Sequence, residues 1–141
     1  MFRDAVEAKD LDAVDELLAE DVVFRSPVAH TPYPGKAITS AILREVVEVF
    51  EDFRYVRQLR DGSEEAYVFE AKVDGLEITG CDFLTLDDEG KVVEFMVMTR
   101  PLKASQALAA RMAERFEASF QVVADLAGVL LQVLVAHNVQ H

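Results

Sequence analysis

The sequence predicts a single α+β domain whose sheet is mainly antiparallel and which ends in a C-terminal helical extension. Three observations predict it. A length of 141 residues suits one hydrophobic core. Apolar residues recur at helical spacing at both ends of the chain, and between residues 54 and 100 the period falls to two. Turn signals of the Asp-Gly type punctuate that middle stretch.

Met1 to Ala8 and Leu11 to Ala19 are expected as two short helices. Asp10 is placed to cap the second, and Leu11, Val14, Leu17 and Leu18 form its buried stripe. Val22 to Ser26 alternates as a short strand, and Pro27, Pro32, Pro34 and Gly35 break regular structure after it. A helix follows from Lys36 to Phe50, with Ile38, Ile42, Val46, Val49 and Phe50 on one face. Arg54 to Arg60, Glu65 to Val73, Leu76 to Leu86 and Val92 to Arg100 are then expected as strands. Asp61-Gly62, Asp74-Gly75 and Asp88-Glu89-Gly90 separate them, which implies an antiparallel meander. After Pro101 a helical pattern returns through Leu108, Met112, Phe116 and Phe120 and continues to Ala136.

Composition narrows the function classes. Hydrophobic residues make up 51% of the chain and charged ones 28%, the balance of a globular protein rather than a disordered one. The net charge of −12, from 26 acidic and 14 basic side chains, repels phosphate backbones, so no nucleic-acid partner is expected. The lone Cys81 has no partner for an internal disulfide, and no basic segment leading into an apolar run opens the chain, so the expected compartment is the cytoplasm. The apolar stretch from Val122 to Ala136 is about 15 residues long and carries Asp125, Gly128 and Gln132. A spanning helix needs about 20 mostly apolar residues, so stable membrane insertion is not expected.

Alternation sorts the faces of the strands. Tyr67, Phe69, Ala71 and Val73 form one buried face, and Val93, Phe95, Val97 and Thr99 are expected to form another. Between them, Leu76, Ile78, Gly80, Asp82, Leu84 and Leu86 read as an apolar face broken by one carboxylate. An aspartate there must find hydrogen bonds, meet a cation or take up a proton. It either serves structure, capping a loop or pairing with an arginine, or it serves chemistry in a pocket. The opposite face, with Val68, Cys81, Phe83, Met96 and Met98, is more apolar than a solvated surface requires. A two-fold homodimer through that outer face is therefore expected.

Lys9-Asp10-Leu11-Asp12, Glu20-Asp21-Val22-Val23-Phe24 and Ser26-Pro27, taken with the order of elements, resemble the nuclear transport factor 2-like superfamily, in its SnoaL-like and steroid Δ-isomerase-like group. The resemblance covers residues 1–101 and implies a cone, a strongly bent sheet wrapped around a long third helix with a pocket open at one end. Residues 102–141 would then be a helical extension packed on the same domain or on its dimer mate. The steroid isomerase pattern carries over only in part. Its general-base aspartate falls on Ser26, its first-helix tyrosine on Phe2, and its protonated aspartic acid on Asp82. The limonene epoxide hydrolase pattern needs an arginine where Gly80 stands.

Asp82 is thus the first candidate for acid–base chemistry. His30, in the Pro-rich loop four residues after Ser26, is a candidate replacement base whose bland alternative is a solvent-facing loop residue. Ser26, Tyr33, Tyr67, Phe69, Phe95 and Thr99 are candidates for contact with a ligand, the tyrosines doubling as ordinary packing residues. No metal site is expected, because His30, His137 and His141 have no clustered ligand partners. No Gly-rich phosphate loop or nucleophile elbow is present, and no cofactor is expected. The expected function is binding of a small apolar molecule. The alternative is a SnoaL-like or isomerase-like enzyme doing acid–base chemistry on a small hydrophobic carbonyl or hydroxyl compound.

Overall fold

The computed structural model describes residues 1–127. The expectations for residues 128–136 and for His137 and His141 lie outside the described residues, as does the side chain of Phe120. Two short helices, α1 (Phe2–Glu7) and α2 (Leu11–Leu17), lead into β1 (Leu18–Arg25). Next come the two-residue strand β2 (Tyr33–Pro34) and helix α3 (Lys36–Val49). The strands β3 (Glu51–Asp61), β4 (Glu64–Val73), β5 (Leu76–Leu86) and β6 (Val92–Arg100) follow, and α4 (Leu102–Ala127) closes the described chain. One six-stranded sheet runs in the order β2, β1, β6, β5, β4, β3. It is the curved α+β cone that the resemblance implied. No described helix is long and apolar enough to cross a membrane.

The meander from β3 to β6 is antiparallel throughout, as its turn residues predicted. Asp10 caps α2, accepting the Ala13 N–H at 3.1 Å. Helix α2 ends at Leu17, two residues before the expected end at Ala19. Leu18 is buried as the first residue of β1, where it pairs in parallel with Val92 of β6. The tertiary pairing overrides the local helical pattern. The short β2 lies in the Pro-rich loop read as irregular; Pro34 has no N–H to donate and sits on the sheet's outermost strand.

Among the sheet's register shifts, two bulges decide which side chains face the core. In the β3–β4 ladder, Arg57 faces Val68 but Tyr55 faces Phe69, so Val56 is an extra residue. In the β5–β6 ladder, Thr85 faces Glu94 but Leu86 faces Val92, so Val93 is extra. A bulge moves every residue beyond it to the other face. Val92 is therefore the buried residue, and the expected inward face of Val93 is corrected. Outward, Phe83 is 38% and Met98 54% exposed.

The core lies between the concave face of the sheet and the helices. Ala104 and Leu108 of α4 belong to it, together with Val14 of α2 and Ile42 of α3. Gly80 has a steric role in it. Phe69, its cross-strand partner, lays its ring over the glycine so closely that a Cβ there would overlap the ring. Phe69 is 1% exposed and has little room to move. Gly80→Ala is expected to destabilise the fold by about 1–3 kcal/mol, the range for overpacking a tight core. Chemical denaturation of both proteins checks this; equal midpoints and slopes refute it.

Candidate functional site

A cavity of about 570 Å³ opens inside the cone. Its walls come from Phe2 of α1, Phe53 and Tyr55 of β3, Phe69 of β4, Phe95 and Val97 of β6, and the inner faces of α3 and α4. From α4, Leu108, Met112 and Phe116 reach in. Rings are packed against one another along the sheet wall. Phe53 stacks on Phe69 with centroids 5.0 Å apart, and Phe2 lies 5.5 Å from Phe95.

Asp82 is set into this wall, 7% exposed. The Tyr55 hydroxyl donates to its Oδ2 at 2.6 Å, across the intervening strand β4. The Val56 bulge makes this contact available by putting Tyr55 opposite inward-facing Phe69. A guanidinium Nη2 of Arg3 donates to the Tyr55 carbonyl at 3.2 Å and ties α1, with Phe2, to the same strand. Asp82 Oδ1 makes no hydrogen bond to a described side chain or backbone group, and the carboxyl lines the cavity.

Burial pushes the Asp82 carboxyl up to about 7, against the opposing pull of the Tyr55 hydrogen bond, which favours the ionised form. Burial, and then the Asp82 charge, hold the Tyr55 phenol well above its ordinary value, so it remains a donor. Near neutrality Asp82 thus exists in both protonation states. With Tyr55 bonded to Oδ2, a proton on Oδ1 makes the acid a donor to a ligand oxygen. The carboxylate form is an acceptor for a ligand hydroxyl.

The other candidates divide between two places. Ser26, Tyr33, Phe69 and Phe95 line the cavity with Asp82. Ser26 Oγ accepts the Val28 N–H at 3.1 Å, which leaves its O–H free to donate. His30, Tyr67 and Thr99 are not on the cavity wall. His30 is exposed and shares a shallow cleft at the sheet rim with Thr99, Met96 and Met98. Thr99 Oγ1 lies 2.7 Å from Ser105 Oγ, joining β6 to α4. Tyr67 is buried beneath Phe2, with its hydroxyl donating to Glu65 Oε1 at 2.7 Å. Ser26 and Pro27 border both the cavity and this cleft, so spacing from Ser26 does not reveal on which side His30 lies.

Sequence reasoning passed over Tyr55 and Lys9. Tyr55 alternates with Phe53 in a strand, a visible signal, but its face depends on the bulge. Lys9 lines the cavity from the α1–α2 turn. Among the described residues no three His, Cys, Asp or Glu side chains gather as metal ligands.

An α+β cone enclosing an apolar cavity with one buried carboxyl is the architecture of a nuclear transport factor 2-like pocket protein. The SnoaL-like domain family matches residues 1–95, and the chain belongs to it. A steroid delta-isomerase structure from Pseudomonas aeruginosa is similar at 41% identity, covering 85% of this chain and 89% of that one, with a TM-score of 0.81. A bacterial protein with a cystatin-like fold from Silicibacter pomeroyi is 33% identical over 86% of each chain, with a TM-score of 0.82. A protein with a cystatin-like fold from Xanthomonas campestris shares the fold at 23% identity, 76% and 91% coverage and a TM-score of 0.63. No curated protein matches by sequence.

The raised Asp82 value predicts a pH effect of known sign. An unfolded aspartate titrates near 3.9 by general reference. Between about 4 and 7 the folded protein keeps a proton that the unfolded chain has released, so this group's contribution to stability falls as pH rises and levels off above 7. Asp82→Asn keeps an acceptor for Tyr55 and removes the titration. Relative to wild type, the variant should gain stability between pH 4.5 and pH 8, by at most on the order of 4 kcal/mol. Thermal unfolding at both pH values checks it, and a pH-independent difference refutes it. Tyr55→Phe removes the bond favouring the carboxylate, so the Asp82 midpoint should rise, read by carboxyl-carbon NMR titration.

Proposed function

We propose that this chain binds a small, largely apolar molecule in the cone and holds one carbonyl or hydroxyl oxygen of it at Asp82. The observation that carries this reading is a buried carboxyl bonded to the described protein groups through Oδ2 alone, in the wall of an otherwise mainly apolar cavity. The cavity volume is within the range of sites for drug-sized molecules, and few polar groups in an apolar wall fix orientation. A ligand hydrogen bond to Oδ1 would offset part of the cost of burying the carboxyl.

Acid–base catalysis is the second reading, favoured by the 41% identity to the steroid delta-isomerase structure. In it Asp82 donates or takes the proton, and a water held by the Ser26 hydroxyl relays it. Binding takes precedence because, among the described residues, no second carboxylate and no imidazole lines the cavity. Ser26 cannot itself be the general base at neutral pH, and exposed His30 lies outside the wall.

Isothermal titration with a ketosteroid and with an aliphatic methyl ketone tests the binding reading. Saturable binding, weakened about tenfold in Asp82→Leu, is expected, the loss of roughly one hydrogen bond. Binding indifferent to Asp82→Leu refutes the placement of the oxygen. Turnover of a panel of ketosteroids, polyketides and epoxides that disappears in Asp82→Asn would move the assignment to the catalytic reading.

We also propose that the outer sheet face, where Phe83 and Met98 stand exposed, pairs two copies of the chain about a two-fold axis. Sedimentation velocity at micromolar concentration should show a dimer that Met98→Lys dissociates. A wild-type monomer overturns it.

A further inference from the structure

The polar inventory of the cavity is short, and it is unequally distributed. Asp82, Tyr55, Tyr33 and Ser26 provide hydroxyls and one carboxyl, and Lys9 provides a cation. Asp82 and Tyr55 are buried in the wall, whereas Lys9 is exposed and belongs to the mouth. Val28 and Ile38, 45% and 38% exposed, are apolar lining residues that also reach solvent.

Lys9 is held in place by its backbone. It lies in the turn between α1 and α2 at φ 55, with its N–H bonded to the Val6 carbonyl at 3.0 Å. Glycine or asparagine is the easier residue at a left-handed helix end. The acids next to it in sequence are engaged elsewhere. Asp10 Oδ1 accepts the Ala13 N–H, and Asp12 pairs with Arg44 at 2.8 Å, as Asp15 does at 2.7 Å. The Lys9 ammonium makes no ion pair with a described residue. In a chain of net charge −12, the sole basic group among the described residues of the cavity wall therefore stands unneutralised at its entrance.

We propose that the ligand is an amphipathic monocarboxylic acid, its carboxylate at Lys9 and a carbonyl or hydroxyl oxygen, further along an apolar body, at Asp82. This rests on the binding reading above and adds the class of ligand and its direction of entry. One ammonium in an otherwise mainly apolar lining matches a single negative charge. A phosphate or a nucleotide-linked ester would bring several charges to a mouth with one cation, and the chain's net charge of −12 would oppose them more than it opposes one carboxylate. The head group remains in water, so its transfer carries little desolvation cost, and Lys9 serves orientation and selection more than affinity.

Two matched probes test this, 11-oxododecanoate and dodecan-2-one, which share a methyl ketone and differ in the distal carboxylate. Their affinities are measured by calorimetry for wild type, Lys9→Met and Lys9→Arg. The expected result is that wild type prefers the acid and that Lys9→Met lowers the acid-to-ketone affinity ratio about threefold to fivefold, the strength of an exposed charge pair. Lys9→Arg keeps the ratio. If the ketone binds but the ratio is unchanged in Lys9→Met, the carboxylate proposal is overturned while the Asp82 site stands. If neither probe binds, both are overturned.

Discussion

A carboxyl buried in an apolar wall constrains much of what surrounds it. Among the described residues Asp82 has no cation beside it; the neutral phenol of Tyr55 is its protein partner. The phenol must reach over strand β4, so Tyr55 has to project from the concave face of β3. A bulge at Val56 gives it that direction. Phe2 then fills the space between Tyr55, Tyr67 and Phe95, and Arg3 fixes α1 to β3 through the Tyr55 carbonyl. One hydrogen bond thereby couples the register of an edge strand, the seat of the first helix and the protonation of the cavity's acid.

Turn chemistry made the meander legible, because Asp61-Gly62 and Asp74-Gly75 mark where chain reversal is cheap and alternation does the rest. The Asp82 face was legible for the same reason: β4 and β5 pair without a bulge, so counting by twos never fails there. Counting does fail across a bulge. An unbroken β3–β4 ladder would set Tyr55 opposite Glu70 on the outer face and hide it from the site. The same error exchanged Val92 and Val93 in β6. An extra residue leaves no compositional mark, since Val56 and Val93 are ordinary strand residues. The parallel pairing of β1 with β6 is equally silent locally, for its partners lie some seventy residues apart. That separation also turned Leu18 from a helix residue into a strand residue.

The cavity differs from the catalytic patterns of its superfamily by subtraction, and the structure shows what fills each gap. Where the isomerase pattern has a phenol in the first helix, Phe2 packs among three other rings. Where the epoxide hydrolase pattern has an arginine, Gly80 stands beneath the Phe69 ring, and any side chain would have to displace that ring. Ser26 replaces a carboxylate and spends one lone pair on the Val28 N–H. Each replacement exchanges a charged or reactive group for packing or a local bond. The polarity left inside is concentrated at Asp82 and Tyr55, which suits orientation of a ligand better than stepwise proton transfer between two groups.

The far wall is supplied by α4, which lies beyond the residues matched by the SnoaL-like family. Its first turns are held by burial, with Ala104 and Leu108 in the core. Further along, ion pairs accompany the apolar contacts of Met112 and Phe116. Arg111 meets Asp74 in the β4–β5 turn at 2.8 Å, and Arg115 meets Glu45 of α3 at 2.6 Å. Half-exposed pairs of this kind contribute only about 0–1 kcal/mol each. Helix α4 is therefore fully buried near Leu108 and only partly buried where Met112 and Phe116 pack against the core and cover the cavity. The catalytic positions compared within the superfamily all precede Pro101, whereas this part of the wall comes after it. The length and shape of the cavity are thus set partly by an element beyond the residues that the SnoaL-like family matches, while the position of Asp82 is set by the cone itself.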